Sequence, residues 1–282
     1  MLILHGWPGS FVQMLDLLPL LTDPGAHGGD PADAFDVVIG SLPGFGFSDR
    51  PTAPGMSVGA MAPLFHKLMT ETLGYGRYAI RAGDLGAGVM SQMAADHPEA
   101  VIGIHTGGTN PYIAQVPDDL SLAEQEYVAN AQAWNQAETA YALLQGTKPQ
   151  TLAHALNDSP TGLASWIVEK VRRWSDSDGD IERRFSKDEI LTNLMVYWTT
   201  QTIGSSMRLY YEVVRDPRFA PVDVPTAYLM SPKDFFPTPR EWVARTSRID
   251  RWTETDRGGH FLEWEEPELV AADMRAFFRD LR

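Results

Sequence analysis

Asp84 stands in Arg81-Ala82-Gly83-Asp84-Leu85-Gly86-Ala87-Gly88, between a β-prone run at residues 77–80 and a stretch of helical spacing from Val89. A carboxylate at such a strand-to-helix turn, with residues as small as Ala82 and Gly86 two positions away on either side, has two readings. It caps the helix that follows, a common task for Asp, or it is a nucleophile presented by a turn too tight for larger neighbours. Two other groups bear on the choice. Asp234 follows the run at residues 225–230, and His260 lies in Asp256-Arg257-Gly258-Gly259-His260-Phe261. A histidine oriented by a carboxylate can deprotonate water. A carboxylate nucleophile needs no base of its own, because carboxylates, with a reference pKa of ~3.9, are ionised at neutral pH. Attack on an sp³ carbon would leave an alkyl ester on the chain, for the activated water to cleave. The leaving group would be a halide or an epoxide oxygen. The turn His5-Gly6-Trp7-Pro8-Gly9-Ser10 adds a backbone N–H at Trp7 which, with that of Leu85, would hold an oxyanion. His5 reads as a structural residue pinning that turn. Singly, each group has a plainer reading: Gly-Gly-His is often only a turn, and an Asp before Phe235-Phe236-Pro237 often faces solvent.

These groups need a scaffold that gathers them. Buried-type strands are expected at residues 2–4, 35–39, 77–80, 101–105, 225–230 and 249–255. Helices are expected at 11–21, 57–73, 89–96, 240–245 and 268–281. Alternation at crossover length calls for a parallel sheet with helices on both faces, and such a sheet places active groups at its carboxyl ends. From about residue 110 to 202 the Val, Ile and Phe runs give way to helical segments at 120–132, 138–144, 161–174 and from 186, where Ser186 and Glu189 form a capping box. This reads as a helical cap (110–202) inserted between two parts of an α/β core (1–109 and 203–282). The Asp176-Ser177-Asp178-Gly179-Asp180 loop departs from the calcium-loop order and reads as a solvated acidic loop. No metal or cofactor is expected.

Twenty-three Lys and Arg against 37 Asp and Glu leave a net charge of −14. An acidic surface argues against nucleic-acid or anionic-membrane partners and suits a neutral small molecule. There is no cysteine, hence no disulfide framework or thiolate nucleophile. No secretory leader or run near the ~20 apolar residues of a membrane span is read in the sequence, which makes the cytoplasm the default location.

Asp84, Asp234 and His260 follow the nucleophile, acid, histidine order of α/β-hydrolases. Of the seven histidines, His260 alone stands in the late position. More widely, the chain resembles the epoxide hydrolases of that fold, in their microsomal and juvenile-hormone branch. The matching segments include HGWPGS (5–10), SLPGFGFSDRP (41–51), GDLGAG (83–88), TKPQTLAHALNDSPTGLASWIVEK (147–170), FSKDEILTNLMVYWTTQTIGSSMRLYYE (185–212) and RGGHFLEWEEPELVAADMRAFF (257–278).

The resemblance implies an α/β-hydrolase fold, with a mostly parallel sheet of about six strands and an inserted helical cap. It implies a small apolar epoxide and water as partners, and detoxification as a role. Two cap tyrosines would donate to the epoxide oxygen, by position Tyr141 and Tyr210, with Tyr211 and Tyr197 as fallbacks. A phenol of pKa ~10 can supply that donor, although each could also be a cap-core aromatic. Two departures stand out. Leu85 occupies a position usually held by Trp, and the chain lacks the family's first two strands, so the strand at 35–39 is expected to form an exposed edge that favours self-association. A dehalogenase using the same Asp, Asp and His is the enzymatic alternative; a non-catalytic ligand-binding relative is another. The glycine spacing G-x-x-G-x-G does not fit dinucleotide binding.

Overall fold

The computed structural model describes residues 1–108, 113, 115–217 and 222–281. Its centre is a parallel sheet in the order β2-β1-β3-β4-β5-β6, made of β1 (Leu2–Leu4), β2 (Val38–Gly40), β3 (Tyr78–Ala82), β4 (Val101–Thr106), β5 (Thr226–Met230) and β6 (Arg251–Glu254). Side chains alternate across a strand, and here both faces are apolar. Leu2, Leu4, Ile80 and Ala82 join one buried cluster, whereas Ile3, Ala79, Ala227 and Leu229 join another on the opposite face. The first face carries α2 (Val58–Lys67) and α3 (Asp84–Asp96); the second carries α1 (Leu17–Thr22) and α12 (Pro267–Phe278). Burial on both faces is what sustains an all-parallel sheet. Leu4 pairs with Ala82, and Ala82 with Thr106. The turns after β1 and β3 therefore leave the sheet side by side.

Between β4 and β5 lie α4 (Leu122–Glu138), α5 (Ala140–Thr147), α6 (Pro149–Asp158), α7 (Pro160–Trp174), α8 (Lys187–Thr200) and α9 (Ile203–Arg215); α10 (Arg240–Ala244) and α11 (Leu262–Glu265) precede and follow β6. Helices α4 to α8, on which α9 packs, form the helical cap inserted into the α/β fold. The capping box at Ser186 and Glu189 is present, and a second, unforeseen one at Ser121 and Glu124 opens α4. No helix was expected at residues 149–158, and α9 packs against α5 and α6. The expected boundary at residues 109 and 110 lies outside the described residues.

A proline accounts for one local departure. The helix expected at 11–21 is a 3-10 turn over Phe11–Met14 followed by α1. Pro19 lacks an N–H, so the helix starts where Pro19 falls in its first turn. Pro63 lies inside α2, which gives way to a π turn at Leu68–Thr72. The strand expected at 35–39 is reduced to β2, at the end of the sheet. Its Val38 N–H donates to the Met1 carbonyl at 2.8 Å, so that amide is paired inward. None of the helices among the described residues is long and apolar enough to cross a membrane.

Candidate active site

The chain leaves β3 through Gly83 and enters α3 at Asp84, whose φ of 48° is left-handed. A residue with a Cβ holds that conformation only where its surroundings enforce it. The enforcement is close packing against the turn after β1. A Cβ on Gly86 would lie 2.6 Å from the His5 carbonyl oxygen, and one on Gly6 would lie 2.1 Å from Asp84 Oδ1. With both sites empty of side chain, the two turns meet, and the Trp7 N–H donates to Asp84 Oδ1 at 2.8 Å. Leu85 follows in the first turn of α3, where backbone N–H groups have no partner within the helix. His5 lies beneath the turn, donating from Nδ1 to the Gly6 carbonyl at 2.9 Å. Burial lowers its pKa to about 4, which makes it a neutral strut.

His260 approaches Asp84 from the other side. Its Nε2 is 3.3 Å from Asp84 Oδ2, and its Nδ1 is 2.9 Å from Asp234 Oδ1. The Asp234 carboxylate also accepts the Phe235 N–H at 2.8 Å. The imidazole stacks on Phe235 at 4.5 Å and meets Trp174 edge-on at 5.5 Å. Burial alone would lower its pKa, but attraction to Asp234, their hydrogen bond and the nearby Asp84 outweigh it and raise the value to about 10. The resting ring is thus an imidazolium between two carboxylates. Two cavities of about 20 Å³ each meet both Asp84 and His260, and a volume of that size holds one water molecule.

The indole of Trp7 gathers Tyr141 and Tyr210. Tyr141 stacks on it at 5.3 Å, Tyr210 meets it edge-on at 5.8 Å, and the two phenol rings lie 5.8 Å apart. Both are buried. The fallback positions go elsewhere: Arg215 covers the Tyr211 ring at 3.3 Å, and the Tyr197 hydroxyl donates to the Gly9 carbonyl at 2.6 Å.

A family model described as the alpha/beta hydrolase fold matches residues 1–267. Epoxide hydrolase 1 of Oryctolagus cuniculus is 36% identical over 310 residues, which cover 98% of this chain and 67% of that protein. The chain belongs to the epoxide hydrolases of the α/β-hydrolase fold. A protein of Stigmatella aurantiaca with a provisional epoxide hydrolase name is 45% identical over 285 residues, covering 100% of this chain and 64% of its own length. Among solved structures, juvenile hormone epoxide hydrolase of the silkworm Bombyx mori superposes with a TM-score of 0.82 at 33% identity, covering 100% of this chain and 68% of that one. The chain thus spans about two thirds of the length of the relatives it matches.

Around this site lie groups that sequence reading missed. Arg81, on β3, is 2% exposed. It donates from Nε to Glu263 at 2.9 Å, and its Nη1 lies 2.9 Å from His105 Nδ1; His105 Nε2 in turn lies 2.9 Å from Asp273, which also holds Arg251 and Thr253. A charge inside an apolar strand was the available signal, since Arg is almost never fully buried without partners. The loop at 176–180 is exposed at Asp178, Gly179 and Asp180, as expected, but not at Asp176 and Ser177. Asp176 accepts from Arg184 and from the Gly258 N–H, while its own N–H donates to Glu265. Glu265 also accepts the Gly259 and Phe261 N–H groups on either side of His260, whose N–H donates to the Trp174 carbonyl. Burial pushes Glu265 up to about 7 against those N–H bonds. Acidic residues spaced through Glu263-Trp264-Glu265-Glu266 carried no sign of which would turn inward.

Proposed function

We propose that the protein hydrolyses epoxides to vicinal diols through an alkyl ester on Asp84. One observation carries the reading: Asp84 Oδ1 receives the Trp7 N–H while Oδ2 faces a His260 held by Asp234. Oδ2 attacks the epoxide carbon as the ring C–O bond breaks, and the ring oxygen takes a proton from Tyr141 or Tyr210, the two phenols gathered on Trp7. Esterification removes the charge of Asp84. His260 then loses one of the two carboxylates that hold its proton while its burial is unchanged, so its pKa falls as its task as a base begins. It gives up its proton, which restores the phenol ionised in ring opening, then takes one from water, and the hydroxide adds to the ester carbonyl. The oxyanion grows on Oδ1, where the Trp7 and Leu85 amides are its donors; collapse breaks the bond to Oδ2, the leaving alkoxide takes the proton of the new carboxyl group, and the diol departs with an oxygen from Asp84.

The rings of Trp7, Tyr141, Tyr210, Trp174 and Phe235 around the reacting groups suit a small apolar substrate. In this reading the inserted helices, residues 110–202, are a cap over a core formed by 1–109 and 203–282. A single turnover with styrene oxide in ¹⁸O-labelled water tests the mechanism. The first diol should carry unlabelled oxygen from the enzyme, and label should then appear in the Asp84 peptide. A first diol containing solvent oxygen only would establish direct attack by water and end this reading.

A second reading has one observation in its favour. The indole N–H groups of Trp7 and Trp174 are buried without a hydrogen-bond partner among the described residues, and a departing halide needs such donors. Halide release from a 1-haloalkane, outpacing turnover of any epoxide, would favour the dehalogenase.

A further inference from the structure

We infer that Asn193 and Tyr197, on the cap helix α8, are positioning residues for the Trp7 oxyanion donor and act on ester hydrolysis more than on ester formation. The inference rests on the proposed Asp84 ester. Trp7 lies in a turn, and the two carbonyls that follow it are held from the cap: Asn193 Nδ2 donates to the Pro8 oxygen at 3.1 Å, and the Tyr197 hydroxyl to the Gly9 oxygen at 2.6 Å. Ser10 closes the set by donating to Asn193 Oδ1 at 2.7 Å. Residues 193 and 197 are one helical turn apart on one face, and each is 1% exposed. Without these donors, two buried carbonyls next to Trp7 would lack their partners from α8, and the turn would be free to swing toward others.

Tyr197 is thereby accounted for without any contact with substrate. Its hydroxyl is committed to Gly9, its ring packs on Phe45 at 6.4 Å, and burial raises its pKa well above the ordinary phenol value, so it is poorly suited to protonate an alkoxide.

The sign of the effect follows from where charge sits. The Trp7 N–H binds Asp84 Oδ1 when the carboxylate is charged, and alkylation discharges that carboxylate. A looser donor therefore leaves alkylation unchanged or slightly faster. In hydrolysis the negative charge returns to Oδ1 in the tetrahedral intermediate, where a well-aimed donor matters most. A destabilised fold would lower the active fraction and both steps together. A lost aim separates them.

The experiment is rapid-quench mass spectrometry of the alkyl-enzyme with styrene oxide, for the wild type, Tyr197→Phe and Asn193→Leu, with thermal melts alongside. Tyr197→Phe removes one hydroxyl and keeps the ring, so it decides the question even if Asn193→Leu fails to fold. Hydrolysis of the ester should slow about tenfold or more, with alkylation within about threefold of wild type. Wild-type hydrolysis rates in Tyr197→Phe, or equal loss of both steps, would overturn the inference alone. If the wild type forms no Asp84 adduct, the ester mechanism fails and takes the inference with it.

Discussion

Asp234→Asn replaces one oxygen by nitrogen, yet the structure assigns it a large effect on one step. Asp234 accepts the Nδ1–H of His260 at 2.9 Å and is a main reason the imidazole holds its proton up to about 10 despite burial. An amide provides neither the charge nor, in its donor orientation, the acceptor. The ring is then free to settle in the wrong tautomer with no counter-ion, and an Asp-to-Asn change of this kind costs about 10⁴-fold in rate, or about 5 kcal/mol of barrier at 1.36 kcal/mol per tenfold. The loss should fall on ester hydrolysis, since in the proposed mechanism Asp84 attacks without a base. In rapid-quench experiments the alkyl-enzyme should form at close to the wild-type rate and then persist. A second signature lies in stability. Because the folded pKa of His260 is raised above the ordinary 6.5, its contribution is fully present below pH 6.5 and is lost as pH rises through about 10. Melting temperatures of the wild type should fall across that window, and those of Asp234→Asn should fall less. An Asp234→Asn enzyme that turns the ester over at the wild-type rate would refute the reasoning and move the acid to another carboxylate, such as Glu263, which lines the same cavity as His260.

Tyr141→Phe and Tyr210→Phe should each slow alkylation, and the double variant far more, because either phenol alone can still polarise the ring oxygen; unchanged alkylation in the double variant would remove both from the mechanism. Arg81→Met leaves Glu263 buried without its cation and should lower stability by about 3–5 kcal/mol in urea melts, whereas a change under 1 kcal/mol would mean that the buried pair is already solvated or neutral. We also propose that the outer edge of β2, the last strand of the sheet, promotes self-association. Light scattering should find oligomers that a Lys substitution at Ile39 disperses, and a monomer at all concentrations would count against it. The Val38 amide, bonded to Met1, should be protected from hydrogen exchange in either state.

The parallel α/β order, the cap and the Asp84, Asp234, His260 sequence were legible along the chain because each depends on local pattern. Apolar runs of strand length, small residues around Asp84 and the Gly-Gly-His turn all mark themselves within a few positions. The meeting of Trp7 with Asp84 was also legible, since β1 and β3 had to bring their carboxyl ends to one edge. Pro19 carried information about a helix start that periodicity alone obscured. What the tertiary structure decided was which polar groups face inward and what each one meets. Tyr197 and Tyr210 lie thirteen residues apart; one donates to the Gly9 carbonyl and the other joins Tyr141 on Trp7, a difference set by how α8 and α9 dock. The protonation of His260 was likewise hidden. Its ordinary pKa is a property of the residue, but the rise to about 10 comes from two carboxylates 26 and 176 positions away, brought within about 3 Å of its ring by the fold. Coulombic attraction and desolvation depend on distance and burial in space, and sequence separation carries neither.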